Sequence, residues 1–304
     1  MAAITVRDLY KRYGDVRAVD GISFDVEEGE IFGILGPNGA GKTTTLEMIE
    51  TLREPDGGNI TVLGMDVRRE ARAIKERIGV QLQTTVFFDQ LTVRETIDLF
   101  TAFYPRSLPV PDLVRLAELE EKAGARVESL SGGQHKRLSI ALALVNDPDV
   151  VFLDEPTTGL DPQARRRIWE VVGHLREQGK TLVITTHYIE EAERLCDRVA
   201  IMDHGRIIAM GSPAELVREF VAESTITFRL RPPLEVEALR DIKGALEVGM
   251  DNGEYRVVTR TPQETLGDIF ALAYRRGVEA EEINMRKASL EDVFLRLTGR
   301  RIRS

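Results

Sequence analysis

The chain has 304 residues, of which 42% are hydrophobic and 30% charged, enough for a sizeable core and for about two domains by length. Acidic residues outnumber basic ones by 50 to 41, a net charge of −9, which argues against a nucleic-acid binder because that function needs a basic face. The longest apolar run, residues 140–145, is far short of the roughly 20 residues of a membrane span, and the single cysteine, Cys196, excludes an internal disulfide framework and fits a reducing compartment.

In chain order, residues 4–6 and 22–26 alternate like half-buried strands. The opening Met1-Ala2-Ala3-Ile4 runs straight into the first of them and is not expected to be a signal peptide. An apolar run at 30–35 ends in a glycine-rich loop, and a helix is expected from Lys42 to about Leu52, stopped by the turn cluster at 53–58. A strand follows at 59–63. Helices are predicted at 92–103, 111–122 and 134–145, with a proline break at 104–111. Then come a buried strand at 149–153, a helix at 162–178 closed by Gly179, and a buried strand at 181–185. Strands alternating with helices imply an α/β fold with a parallel sheet covered on both faces.

The character changes after residue 205, with a short strand at 205–209 and a helix at 213–220. Beyond a boundary near 222 the pattern is strand 225–230, helix 235–242, strand 246–250, strand 255–259, helix 262–275, strand 281–286 and helix 289–297. Asp251-Asn252-Gly253 between two strand patterns signals a hairpin. Residues 225–304 carry 14 basic and 13 acidic side chains, so the acidity lies in the first 224. This small α+β domain, 223–304, has no histidine and no catalytic cluster, and an interaction role is expected for it. Its closing helix sets Leu290, Val293, Phe294 and Leu297 in one apolar stripe, to be covered by its own domain or by a partner subunit. The basic tail Arg296, Arg300, Arg301 and Arg303 reads as solvated. Cys196 and Trp169 read as packing residues.

Three motifs carry chemistry. Gly36, Pro37, Asn38, Gly39, Ala40, Gly41, Lys42 and Thr43 fit the phosphate-loop pattern, between a strand and a helix as that pattern requires. Glycines let backbone N–H groups converge on phosphate oxygens, and the helix N-terminus adds its dipole. Lys42 supplies a point charge and the Thr43 hydroxyl can ligate Mg²⁺, with Thr44 completing the nucleotide-binding run. Second, Asp154 and Glu155 end an apolar strand, where ligands of α/β sheets sit. Asp154 would hold Mg²⁺ and Glu155 would polarise an attacking water, unless Asp154 only caps the next turn. Third, Ser131, Gly132, Gly133 and Gln134 precede a helix and form either a second anion site or a plain serine cap.

With these motifs in this order, residues 3–220 resemble the ATP-binding subunit of an ABC transporter. The resemblance implies a P-loop NTPase fold with a mixed sheet and a helical signature subdomain at about 90–145, inside an ATP-binding domain at 1–222. It implies that ATP is held between the phosphate loop of one subunit and the signature, Leu130 to Gln134, of the other, in a homodimer. Gln83 looks like the glutamine that senses Mg²⁺ and γ-phosphate and faces the membrane partner, with Gln81 its neighbouring competitor. Asp161 looks like part of the loop at the dimer seam, and His187 like the switch histidine, whereas His135, His174 and His204 read as surface residues. Tyr13 looks like the aromatic that stacks on adenine, or else is an ordinary strand-end tyrosine.

The whole chain, with its ending at 289–300, resembles the daunorubicin-resistance type of exporter ATPase. That implies ATP hydrolysis at the cytoplasmic face of the membrane, coupled to a separate integral permease that exports a drug, antibiotic, lipid or polysaccharide. Two other readings compete. One is an importer ATPase with a ligand-sensing C-terminal domain. The other is a soluble ABC ATPase acting on ribosomes or DNA, which the single cassette, the lack of a long coiled coil and the acidic balance disfavour.

Overall fold

The computed structural model describes residues 1–221 and 223–299. Position 222, where the sequence analysis puts the domain boundary, and Arg300, Arg301 and Arg303 of the tail lie outside the described residues. The chain forms two compact units, one ending at Pro213 and one starting at Ala214.

The first unit contains β1 (Ala2–Tyr13), β2 (Val16–Glu27), β3 (Ile31–Leu35), α1 (Lys42–Ile49), β4 (Gly57–Val62), β5 (Met65–Asp66), α2 (Ala71–Lys75) and β6 (Ile78–Gln81). There follow α3 (Val93–Thr101), α4 (Val110–Leu116), α5 (Gly132–Ala143), β7 (Val150–Asp154), α6 (Pro162–Glu177), β8 (Thr181–Thr186), α7 (Ile189–Leu195), β9 (Arg198–Asp203) and β10 (Arg206–Gly211). One sheet has the order β10-β9-β3-β8-β7-β6, parallel throughout except for the antiparallel edge strand β10. Its central strands β3, β7 and β8 are buried along their whole length, as expected of strands covered on both faces.

The mixed architecture implied by the family resemblance is present, with an antiparallel part at the N-terminus. There β2-β1-β4-β5 form a separate antiparallel sheet. β1 and β2 run for 12 residues each, well beyond the predicted 4–6 and 22–26. Register shifts in their pairing, with Asp8 at φ 47°, let the ladder continue past the point where apolar alternation breaks. Ile4, Val6, Phe24 and Val26 of this sheet share one core with Phe32, Phe152 and Val183 of the parallel sheet and with Leu46 and Ile49 of α1. The rings of Phe24 and Phe32 stack at 5.1 Å.

Several short elements escaped the sequence pattern: β5, α2, β6, α7 and β9. Two to seven residues hold too few repeats to display a period, and α7 also buries a charged residue, Glu191, on its core face. The helix expected at 111–122 ends at Leu116, because Glu118 takes a left-handed φ of 50°; a single 3₁₀ turn follows at Glu120–Lys122. Helices α3, α4 and α5 pack on one another beside β6.

The second unit holds α8 (Pro213–Phe220), which starts at the division, then β11 (Ser224–Arg231), β12 (Ala245–Asp251), β13 (Glu254–Thr259), α9 (Pro262–Arg276), β14 (Glu279–Arg286) and α10 (Leu290–Thr298). The division precedes the boundary read from the sequence because α8 belongs with the second unit: its last residue, Phe220, accepts a hydrogen bond from Arg296 Nη1 on α10 at 2.6 Å. The sheet is antiparallel in the order β12-β13-β11-β14. The Asn-Gly hairpin joins β12 to β13, with Asn252 and Gly253 both at positive φ. The helix expected at 235–242 is reduced to a 3₁₀ turn, Val236–Leu239, whose Leu239 reaches the core together with Ile242. Leu290, Val293 and Phe294 of the closing stripe are buried within this chain, and Leu297 is half-buried.

The core of this unit gathers Ile226, Phe228, Tyr255, Val257, Ile269 and Leu272 under α9. The Tyr255 hydroxyl accepts a 2.8 Å hydrogen bond from the Leu234 N–H and donates to the Leu234 carbonyl. Tyr255→Phe keeps the ring and strands both backbone groups. It should cost about 1–3 kcal/mol, measured as a lowered unfolding midpoint, with the first unit's transition unchanged.

Candidate active site

The site lies where β3, β7 and β8 end side by side. Strand β3 enters the loop at Gly36, whose N–H donates to the Thr186 carbonyl of β8 at 3.3 Å. Two positions there admit only glycine. A Cβ on Gly36 would stand 2.3 Å from the Met202 carbonyl, and one on Gly41 would stand 2.2 Å from the Ala18 carbonyl at φ +105°. Gly41 caps α1 without any side-chain bond. The first N–H groups of α1 therefore have neither an intrahelical acceptor nor a capping oxygen, which is the donor array a phosphate requires.

Lys42, the first residue of α1, is turned inward with only 4% of its side chain exposed. Its Nζ donates to the carbonyls of Gly36 at 2.8 Å and Pro37 at 3.2 Å, and lies 3.1 Å from Glu155 Oε1. Thr43 Oγ1 donates to the Asp154 carboxylate at 3.1 Å, and Thr185 Oγ1 also donates to it. Burial pushes the Asp154 carboxyl above its usual range, against these two hydroxyl bonds. A hydroxyl and a carboxylate converging from two elements form a hard-oxygen pair of the kind Mg²⁺ takes.

Glu155 is where the site converges. Its backbone has φ 46°, and its N–H is held by the Thr185 carbonyl and hydroxyl at 3.1 and 3.0 Å. Its Oε2 receives Gln83 Nε2 at 3.3 Å and Thr158 Oγ1 at 3.1 Å. His187 Nδ1 lies 3.2 Å from the same oxygen but outside hydrogen-bond alignment. Burial by itself would raise the Glu155 carboxyl; Lys42, with His187 assisting, holds it below its ordinary value. Of the two competing glutamines, Gln83 meets Glu155, whereas Gln81 is buried and turns its amide to the Leu82 carbonyl.

The other sequence-predicted residues stand apart from this cluster. Ser131 caps α5 in a reciprocal box: its Oγ accepts from Gln134 N–H at 3.3 Å, and Gln134 Oε1 accepts from Ser131 N–H at 2.8 Å. Asp161 caps α6, accepting from the N–H groups of Gln163 and Ala164 at 2.9 Å. Ser131, Gly133, Gln134 and Asp161 line one recess of about 170 Å³ with Arg137 and Arg167. Among the described residues, no hydrogen bond joins this recess to the glycine loop. Tyr13 ends β1, with the guanidinium of Arg53 5.3 Å above its ring, and Arg53 is tied to Glu47 of α1 at 2.6 Å. His174 and His204 are exposed, and His135 is half-buried 5.6 Å from the Phe87 ring. Cys196 and Trp169 are buried.

Sequence reasoning missed Thr185 and Thr158, which bond the two carboxylates, and Glu50. Threonines at a strand end and in a turn carry no spacing signal of their own. Glu50, at the end of α1, is 2% exposed with Oε1 unpartnered. It lines a groove of about 580 Å³ with Leu52, Val80, Leu82, Val86 and Phe100. Burial, reinforced by the charges of Asp154 and Glu47, pushes its carboxyl up to about 8.

Two expectations follow. Lys42→Ala leaves Glu155 buried without its cation and should destabilise the nucleotide-free chain by about 3 kcal/mol. Adding Glu155→Gln should restore much of the lost midpoint in thermal unfolding. For Glu50, the folded chain keeps a proton that the unfolded chain releases near 4.5, so stability falls as pH rises from there to about 8 and then levels off. Glu50→Gln removes that loss. Its unfolding midpoint relative to the parent should rise between pH 5 and pH 8 and stay flat from pH 8 to pH 9.

The chain resembles known proteins along almost its whole length. The family described as ABC transporter matches residues 19–158. The Nod factor export ATP-binding protein I of Burkholderia orbicola (strain AU 1054) is 45% identical over 99% of this chain and 98% of its own length. The protein of the same name from Rhizobium sp. (strain N33) is 43% identical over 98% and 97%. Among solved structures, an ATP-binding subunit of an ABC transporter superposes with a TM-score of 0.65 at 29% identity, over 72% of this chain and 93% of that one. A dimeric ATP-binding cassette in a post-hydrolysis state, bound to ADP and Pi, superposes at 0.63 and 28% identity, over 69% and 98%. The order of the motifs, the P-loop fold that brings Lys42 to Glu155 and the near-complete match to these relatives have one reading: the chain belongs to the ABC transporter family, as an ATP-binding, ATP-hydrolysing subunit.

Proposed function

We propose that this chain drives export through a separate integral permease, working as a homodimer at the cytoplasmic face of the membrane. The observation that carries the export reading is the match to relatives named for export over almost the whole of both chains, the second unit included. The finer resemblance to the daunorubicin-resistance type belongs to the same proposal, with its cargo a drug, antibiotic, lipid or polysaccharide. A separate permease is supported by the absence, among the described residues, of any helix long and apolar enough to cross a membrane. The groove beside Gln83, with Leu52, Leu82 and Val86 exposed along it, is an apolar surface suited to such a partner.

The residues divide the work as follows. The glycine loop and the uncapped start of α1 bind the phosphates through backbone N–H groups. Lys42 exchanges Glu155 for the β- and γ-phosphates, freeing the carboxylate. Thr43 and Asp154, with Gln83, would hold Mg²⁺, which when bound neutralises phosphate charge. Glu155 takes the proton of the attacking water, Thr158 and Gln83 orient the carboxylate, and His187 stands 3.2 Å from the same oxygen. Ser131, Gly132, Gly133 and Asp161 complete the site of a second copy, which is why they lie away from the loop of their own chain. Tyr13 contributes a ring for the adenine once Arg53 moves off it.

Glu155→Gln tests this. Nucleotide affinity should be retained, hydrolysis should slow by about 10² or more, and mass measurement with ATP should show dimers accumulating. Normal turnover by that variant would transfer the base role to another group. Mixing Lys42→Ala chains with Ser131→Arg chains creates one undamaged composite site per heterodimer, and activity should return on mixing.

A further inference from the structure

Gln83 is placed by its neighbours rather than by secondary structure. It follows β6 in a segment outside any helix or strand. Among the described residues, one hydrogen bond reaches its main chain: Lys136 Nζ donates to the Gln83 carbonyl at 3.0 Å. Lys136 is the fifth residue of α5, the helix capped by Ser131, and that helix is fixed by its reciprocal cap and by buried Leu138, Ile140 and Ala141. A rigid helix thus holds the carbonyl of Gln83 while the amide of the same residue reaches Glu155 Oε2 at 3.3 Å.

We infer that Lys136 is a positioning residue for hydrolysis: through the Gln83 carbonyl it sets the distance between the Gln83 amide and Glu155, and so ties the helix that carries Ser131 to the catalytic carboxylate of the same chain. Neither the phosphate loop nor the signature contains this link. It is chemically suited to the task. A charged donor makes a stronger bond to a carbonyl than a neutral one. A shift of α5, such as a nucleotide on its Ser131 end would cause, moves the Gln83 carbonyl with it. The inference rests on the reading of Gln83 as a residue that acts on Glu155.

The test is steady-state ATP hydrolysis by the full-length chain in four variants: Lys136→Met, Lys136→Arg, Gln83→Ala, and the double variant Lys136→Met with Gln83→Ala. Lys136→Met should lower kcat about tenfold, with KM for ATP within about twofold. Lys136→Arg, which keeps a charged donor, should recover most of the rate. In the Gln83→Ala background, which keeps the carbonyl but lacks the amide, Lys136→Met should add nothing. If Gln83→Ala lowers kcat and Lys136→Met does not, the inference is overturned and the reading of Gln83 survives. Unchanged kcat in Gln83→Ala defeats the reading itself, and with it the inference. A rise in KM without a fall in kcat, or losses that add in the double variant, would give Lys136 another role and overturn the inference. Should Lys136→Met unfold early in thermal scans, the Lys136→Arg and Gln83→Ala rates decide: a large loss on Lys136→Arg overturns the inference.

Discussion

Two opposite charges, Lys42 and Glu155, are almost wholly withdrawn from water and 3.1 Å apart. An unpaired buried charge is costly, so each compensates the other. Much of the active end of the molecule follows from satisfying them. The glycine loop bends back so that its carbonyls accept from Lys42. Thr185 fixes the left-handed backbone of Glu155, while Thr158 and Gln83 fill its second oxygen. In the mechanism proposed above, a nucleotide would compete for the same lysine, so its binding would release the carboxylate. The energy of the pair is thus tied to the step that breaks it.

The two helix N-termini of the site are prepared differently. α1 begins with a glycine and no capping side chain, so its donors stay open. α5 closes its own first turn through Ser131 and Gln134. The first end suits an anion bound deeply within one chain. The second presents a hydroxyl and glycines at an exposed surface. This asymmetry is compatible with the composite site of two copies proposed above.

The second unit stands on its own core, centred on Phe228 and Tyr255, whose rings lie 5.4 Å apart. Its apolar closing helix is covered within the chain. No groups of three or more metal-ligating side chains occur among the described residues.

The sequence alone determined the chemistry of the active end. A glycine loop with Lys42 and Thr43, an apolar strand ending in Asp154 and Glu155, and a Ser-Gly-Gly turn are local patterns, each complete within about eight residues, and the central buried strands were legible for the same reason. Tertiary structure decided what depends on neighbours distant in the chain. The full length of β1 and β2 is invisible to a local period because bulges interrupt their alternation. The preference for Gln83 over Gln81 came first from the family resemblance, and the geometry of the fold separates them, since the two differ only in which one β6 buries. The buried carboxyl of Glu50, the hydroxyls of Thr185 and Thr158, and the reach of Lys136 to Gln83 carry no sequence signature at all. Burial and hydrogen-bond partners belong to the packed chain, and residues 53 or 111 positions apart meet only once the sheet has formed.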